Sequence, residues 1–183
     1  CPTITLGDTG TVVDRCLSAA NDPGKCKDIA LPLVASLAVA YCCYTSGSTG
    51  KPKVIVVDHI NAMSQIYWFD STNRLTLDGT LLGVTELTHD PAVIELFWPL
   101  MCGARHFVAS ADERRDGLIL KRLMIDERID AIQAVHFIFY NLCDAGWAGN
   151  SRLAVFCGGE PVPTALSRHF EGCNSFTNVY GPT

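Results

Sequence analysis

Residues 131–157 run AIQAVHFIFYNLCDAGWAGNSRLAVFC, and the reading of this stretch decides the fold. Ala131–Val135 and Leu153–Cys157 are short apolar runs, the pattern of buried strands. Between them the apolar residues of 137–145 recur at helical spacing, and the Gly146–Ser151 segment, rich in small and turn-forming residues, breaks the helix. A strand, a helix and a strand in that order join two parallel neighbours through a crossover.

The alternation continues outward on both sides. Toward the C-terminus it predicts a helix over 163–171 and a strand at Phe176–Tyr180. Toward the N-terminus it predicts a helix at Leu118–Arg128, a strand at Ala104–Ala109 and a helix at Pro91–Met101. Pro91 suits a first helical turn, where its missing N–H costs nothing. A strand at Leu81–Thr85 precedes these. Before it, Asp58 caps a helix to about Phe69 that places Ile60, Met63, Ile66 and Tyr67 on one face. Lys53–Val57 reads as a β-branched strand and Ala40–Tyr44 as a buried strand end. Residues 1–38 give no assignable element. The expected fold class is α/β, a largely parallel sheet flanked by helices, with ligands at the carboxyl ends of the strands.

Composition narrows the function. The 183 residues carry a net charge of −5 and no basic run with interleaved aromatics, which argues against nucleic acid or an anionic membrane as partner. The opening stretch lacks a basic, apolar secretory leader. The most apolar run, Ile29–Tyr44, is broken by Pro32 and Ser36; it is short for a membrane span and reads as a buried helix or strand pair. Nine cysteines form no CxxC and share no zinc spacing with the five histidines, so no metal ligands are assigned. Adjacent Cys42 and Cys43 would face opposite sides of a strand. The cysteines read as reduced small hydrophobes, and the setting as cytoplasmic.

Tyr44-Thr45-Ser46-Gly47-Ser48-Thr49-Gly50-Lys51-Pro52-Lys53 holds hydroxyls, glycines and a lysine between two strands. Glycines let backbone amides approach phosphate oxygens, hydroxyls donate to the same oxygens, and Lys51 adds positive charge. A Ser/Gly-rich hairpin turn shares this composition. It is not a GxxxxGK[ST] loop, because only Ser48 and Thr49 separate Gly47 from Gly50 and Pro52 follows Lys51. As a sequence, TSGSTGKPK resembles the phosphate loop of the adenylate-forming superfamily of acyl-CoA ligases, luciferases and peptide-synthetase adenylation domains. Val54 stands where that family has a glycine.

Three later segments resemble the same family in the same order. Thr88–Phe97 with Trp98-Pro99-Leu100 resembles the start of its substrate-pocket helix. An Asp at the position of Asp90 pairs there with a substrate α-ammonium, although a helix N-cap before Pro91 is the plainer role for such a residue. His89 replaces an aromatic. Asp144-Ala145-Gly146-Trp147 through Phe156-Cys157-Gly158-Gly159-Glu160 resembles the nonribosomal peptide synthetase branch; a strand-to-turn junction with Glu160 near a helix start would look alike. Asn178-Val179-Tyr180-Gly181-Pro182-Thr183 resembles the family's NxYGPT motif. Between the first two of these segments, Ile132-Gln133-Ala134-Val135-His136 stands where the family tends to have a Gln-Ala-Thr-Pro-type segment; His136 replaces the proline and reads as a core or rim histidine, since adenylation needs no base.

The resemblance, which spans residues 41 to 183, implies a fragment of the large N-terminal lobe of an adenylate-forming enzyme, cut at both ends and without the C-terminal lobe. It implies ATP-dependent activation of an amino acid carboxylate as an aminoacyl-adenylate, for loading onto a carrier-protein domain of the same assembly line. Thr45, Ser46, Gly47, Ser48, Thr49, Gly50 and Lys51 would grip the phosphates, with Thr45, Lys51 and Thr183 closest to the chemistry. Gly158, Gly159, Glu160, Asn178, Tyr180 and Gly181 would hold the nucleotide. Asp90 would take the substrate amine, and Pro91, Ile94, Gln133, Val155, Cys157 and Val179 would line the side-chain pocket. ATP is the expected cosubstrate, with Mg²⁺ held by a Glu following Thr183. Acyl-CoA ligase-type acid activation and an inactive nucleotide-binding fragment are the alternatives.

Overall fold

The computed structural model describes residues 4–6, 33–45 and 52–181. The phosphate-loop residues Ser46, Gly47, Ser48, Thr49, Gly50 and Lys51 and the C-terminal Thr183 lie outside the described residues. Among the described residues eight strands occur, in the order β1 Ile4–Leu6, β2 Val39–Thr45, β3 Lys53–Asp58, β4 Thr80–Gly83, β5 Arg105–Val108, β6 Ala131–Val135, β7 Ala154–Gly158 and β8 Ser175–Val179. Helices α1 His59–Thr72, α2 Pro91–Cys102, α3 Gly117–Asp126, α4 His136–Asp144 and α5 Thr164–His169 alternate with them from β3 onward.

Six strands form one parallel sheet in the order β1-β5-β4-β6-β7-β8. The strand–helix alternation read from the sequence therefore stands. The helix starts are set locally: the Asp58 carboxylate accepts the Asn61 amide at 2.8 Å to open α1, and Asp116 accepts the Leu118 and Ile119 amides to open α3.

One expectation about placement changes. β2 and β3 pair antiparallel with each other, Thr45 opposite Lys53, in a separate two-stranded sheet. The segment between them is too short for a parallel crossover, which needs a dozen residues or more. The Gly-rich loop thus joins a hairpin and does not sit at the carboxyl end of a parallel strand. Nor is Ala40–Tyr44 a buried strand: only Cys43 is buried there, with Cys42 on the exposed side as the alternation requires. Leu33, Val34, Leu37 and Val39 are exposed, so the described part of Ile29–Tyr44 is no buried pair.

Period-two alternation sorts the strand residues onto two cores. Leu82, Ile132, Ala134, Val155 and Cys157 face α3 and α4, packing with Leu120, Met124, Phe139 and Leu142. Leu81, Ala131, Ala154 and Phe156 face α1 and α2, packing with Ile66, Phe69, Ile94 and Trp98. On α1 the buried face is Ala62, Ile66 and Phe69, while Ile60 and Tyr67 are exposed, because the hairpin covers less of the helix than the spacing suggests. Phe156 is the hub of this second core: its ring lies 4.6 Å from Phe69 and 5.6 Å, edge-on, from Trp98.

Candidate active site

The carboxyl ends of β4, β6, β7 and β8 open onto one cavity of about 490 Å³. It is lined by Thr85, His89, Asp90, Pro91 and Ile94 after β4, by Gln133, Ala134 and Val135 of β6, and by Gly158 and Gly159 at the end of β7. Val179, Tyr180 and Gly181 after β8 and Gln65 and Phe69 of α1 complete it. A second cavity of about 460 Å³ shares Gln65 and Asp90 and runs up to Tyr41, Cys43, Ile55 and Val57 of the hairpin and to Trp68. The hairpin that carries the Gly-rich loop thus stands beside the sheet-end cavity, with Asp90 at the junction.

Asp90 occupies the N-cap position of α2, but its backbone is already helical (φ −55°, ψ −35°) and its carboxylate makes no capping hydrogen bond. The capping role is therefore not the one it fills. Its charge is felt across the gap: burial first, then Asp90, raises both the Tyr41 hydroxyl and the Cys43 thiol above their ordinary values.

The floor of the cavity is bare backbone. A Cβ at Gly158 would lie 2.6 Å from the Val179 carbonyl oxygen, and Gly159 has φ +92°, a left-handed conformation that side chains resist. Val179 and Gly158 are register partners, so these two strand ends approach closely only because position 158 has no side chain. Tyr180 is 90% exposed at the rim. Asn178, paired with Cys157, is exposed and lines neither cavity. Thr45 ends β2, half-buried.

Two pocket assignments are corrected. Val155 and Cys157 are fully buried in the core under α3 and α4, on the opposite face of β7 from the cavity. A one-residue difference along a strand exchanges the faces. Burial also pushes the Cys157 thiol up to about 12, so it is inert. Pro91, Ile94, Gln133 and Val179 do line the cavity. Glu160 precedes α5 by several residues and is mostly exposed; its carboxylate lies 3.5 Å from Nδ1 of His136, a buried ring whose Nε2 has no partner.

Sequence reasoning passed over Gln65, Phe69, Thr85, Ala134 and Val135, and above all Glu95. Glu95 is buried; its carboxylate accepts the Val84 and Thr85 amides at 2.9 and 3.0 Å and the Thr85 hydroxyl. It ties the chain leaving β4 to α2 and so positions the approach to Asp90. The available signal was a lone carboxylate inside the apolar run Pro91–Leu100. Among the described residues no group of three His, Cys, Asp or Glu side chains can hold a metal ion. Among the described residues Asp90 is the one carboxylate on the cavity wall, so these residues do not form a magnesium site. No helix among them is long and apolar enough to cross a membrane.

A parallel α/β sheet whose strand ends meet in such a cavity, with Asp90, Gly158, Gly159 and Tyr180 on its wall, defines the class: the pattern of the AMP-binding enzyme family matches residues 4–183, and the chain belongs to that family. Among individual proteins it is 36% identical over 149 residues to tyrocidine synthase 3 of Brevibacillus parabrevis, covering 79% of this chain and 2% of that protein. It is 32% identical over 145 residues to a dimodular nonribosomal peptide synthase of Bacillus subtilis, covering 79% of this chain and 6% of that one. The fold superposes with TM-score 0.73 and 30% identity on a four-domain nonribosomal peptide synthetase, holo-AB3403, bound to AMP and glycine, over 79% of this chain and 11% of that one. The chain thus spans a small part of the proteins it matches.

Proposed function

We propose that this chain forms the nucleotide- and amino-acid-gripping part of an enzyme that converts an amino acid and ATP to an aminoacyl-adenylate and pyrophosphate, for transfer to a carrier protein. The observation that carries the reading is Asp90: an uncapped carboxylate at the mouth of the cavity that the Gly158–Gly159 floor and the Tyr180 turn also line. The related four-domain synthetase, which holds AMP and glycine, supports it.

In this reading the substrate carboxylate, already ionised at neutral pH, attacks the α-phosphorus of ATP and pyrophosphate leaves. The protein positions the two and offsets charge. Thr45, Ser46, Ser48, Thr49 and Lys51 hold the β- and γ-phosphates, with the Gly47 and Gly50 backbone close by. Gly158, Gly159, Asn178, Tyr180 and Gly181 take the adenine side, and Thr183 the α-phosphate. Asp90 pairs with the α-ammonium, while Pro91, Ile94, Gln133 and Val179 surround the side chain. Glu160, whose carboxylate lies 3.5 Å from Nδ1 of His136, is not among the residues that line the cavity.

The test is ATP–pyrophosphate exchange by a complete domain containing this chain. Replacing Asp90 by Ala is expected to lower kcat/KM for an α-amino acid about 10- to 100-fold, the range for a lost hydrogen bond to a charged group. Exchange that is unchanged by Asp90→Ala, or that runs as well with acids lacking an amine, points instead to acyl-CoA ligase-type activation.

A further inference from the structure

We propose that Arg114 is a positioning residue for amino acid binding: from outside the cavity it holds the loop between β4 and α2 in the shape that delivers Asp90. This rests on the reading above, in which Asp90 pairs with the α-ammonium.

The loop leaves β4 after Gly83 and enters α2 at Pro91. Val84 is buried, whereas Glu86, Leu87, Thr88 and His89 are exposed. Burial therefore fixes the start of the loop and leaves its far half, which runs into Asp90, without apolar anchorage. Ordering such a segment costs conformational entropy, and polar ties must offset it. Glu95 supplies them at Val84 and Thr85. Beyond Thr85, among the described residues, Arg114 is the one side chain of another element that hydrogen-bonds the loop before Asp90.

One guanidinium ties both halves together. Its Nη1 donates to the Val84 carbonyl at 3.3 Å and its Nη2 to the Glu86 carboxylate at 2.9 Å. The Glu86 carbonyl in turn accepts the His89 amide at 2.9 Å, closing the turn immediately before Asp90. The planar fork of an arginine reaches both acceptors at once, which the single point of a lysine does not. Arg114 is itself anchored in a short 3₁₀ turn, Glu113–Arg115, that follows β5. There the Ser110 amide donates to the Glu113 carboxylate at 2.6 Å and the Arg114 amide to the Ser110 carbonyl at 3.1 Å. Arg114 lines neither of the two cavities that Asp90 borders, so it acts through the loop. The Glu86 side chain is 54% exposed, and an ion pair so open to solvent adds little to global stability. Its loss should show in placement, not in folding.

The experiment measures ATP–pyrophosphate exchange by a complete domain containing this chain, with the proteinogenic amino acid that it exchanges fastest. Arg114→Ala should raise the KM for the amino acid about 10-fold and leave the KM for ATP within about 2-fold, because a small displacement of Asp90 weakens one substrate only. Arg114→Lys should fall between this variant and its parent. Glu86→Ala, at an exposed position that tolerates the change, should raise the same KM about 3-fold, and Glu86→Gln, which keeps an acceptor, should raise it less. The Glu86 pair decides the matter if Arg114→Ala does not fold. Arg105→Ala is the comparison, since Arg105 pairs with Glu127 at 2.7 Å near the amino end of the sheet. It should lower Tm without raising the KM for the amino acid. An amino acid KM unmoved by the Arg114 and Glu86 variants, equal rises for both substrates, or an equal rise in Arg105→Ala overturns the role of Arg114 and leaves the adenylation reading intact. Exchange with no amino acid overturns that reading and this one together.

Discussion

The carboxylate of Glu95 accepts three hydrogen bonds, from the Val84 and Thr85 amides and the Thr85 hydroxyl, each of which favours its charged form, yet burial outweighs them and lifts it to about 7. His106 stands on the same side of Gly83, where an added Cβ would meet both its Nε2 and the Glu95 carboxylate; burial, with neither ring nitrogen hydrogen-bonded among the described residues, lowers it to about 4. The two act on stability with opposite signs. Glu95 in the fold lies above its ordinary 4.5, so the native state holds an extra proton between 4.5 and about 7, and stability falls as pH rises through that window. His106 lies below its ordinary 6.5, so the unfolded state holds the extra proton between about 4 and 6.5, and stability rises with pH there. From 4.5 to 6.5 the two slopes cancel. Glu95→Gln removes one of them, and stability should then rise with pH across that window by up to about 1.4 kcal/mol per unit. Urea midpoints of the variant and its parent, measured at several pH values, check this; parallel curves would mean that Glu95 is ionised in the folded protein. The sequence signalled only a lone carboxylate inside an apolar run; its donors, backbone amides some ten residues away, were not legible.

At the level of elements, β6 and β7 were legible as strands because each is a short apolar run between helical segments, and β8 because it continues the alternation after α5. Which residues face the cavity was not legible. A strand inside a parallel sheet is covered on both faces, so Ala154–Cys157 shows no polar alternation from which to take the register, and Val155 and Cys157 were placed one residue out of phase. The hairpin was one of two readings that the Ser/Gly-rich composition of 45–52 allowed, and the shortness of that segment is what favours antiparallel pairing. The close approach of β7 to β8 carries its own prediction. Gly158→Ala would push a methyl carbon to 2.6 Å from the Val179 carbonyl oxygen, forcing apart the strand ends that floor the cavity. The expected cost is about 1–3 kcal/mol of stability, accompanied by loss of exchange activity. Gly172→Ala, where an added carbon meets nothing within 4 Å, is the comparison. Equal urea midpoints for the two variants would show that the β7–β8 junction yields freely.

Across the whole molecule the support is uneven. The parallel sheet is covered on both faces by helices, whereas β2 and β3 form a sheet of two strands in which only Cys43 is buried and Val39, Tyr44, Val54 and Val56 are exposed. A two-stranded hairpin is marginal in water by itself, and this one has α1 as its main packing partner. The residues proposed to grip the phosphates belong to the loop that joins these strands, so the weakest element carries the group that catalysis needs held most firmly. The 183-residue chain alone should therefore show two linked properties. Amides of β2 and β3 should exchange with deuterium at least about 100-fold faster than those of β6 and β7, a gap of about 2.7 kcal/mol in opening free energy. ATP–pyrophosphate exchange by the same chain should stay below detection. In a complete domain containing this chain, both the exchange activity and the hairpin's protection should rise together. Detectable activity from the 183 residues, or protection of the hairpin equal to that of the central sheet, would show that this fold holds its phosphate loop unaided.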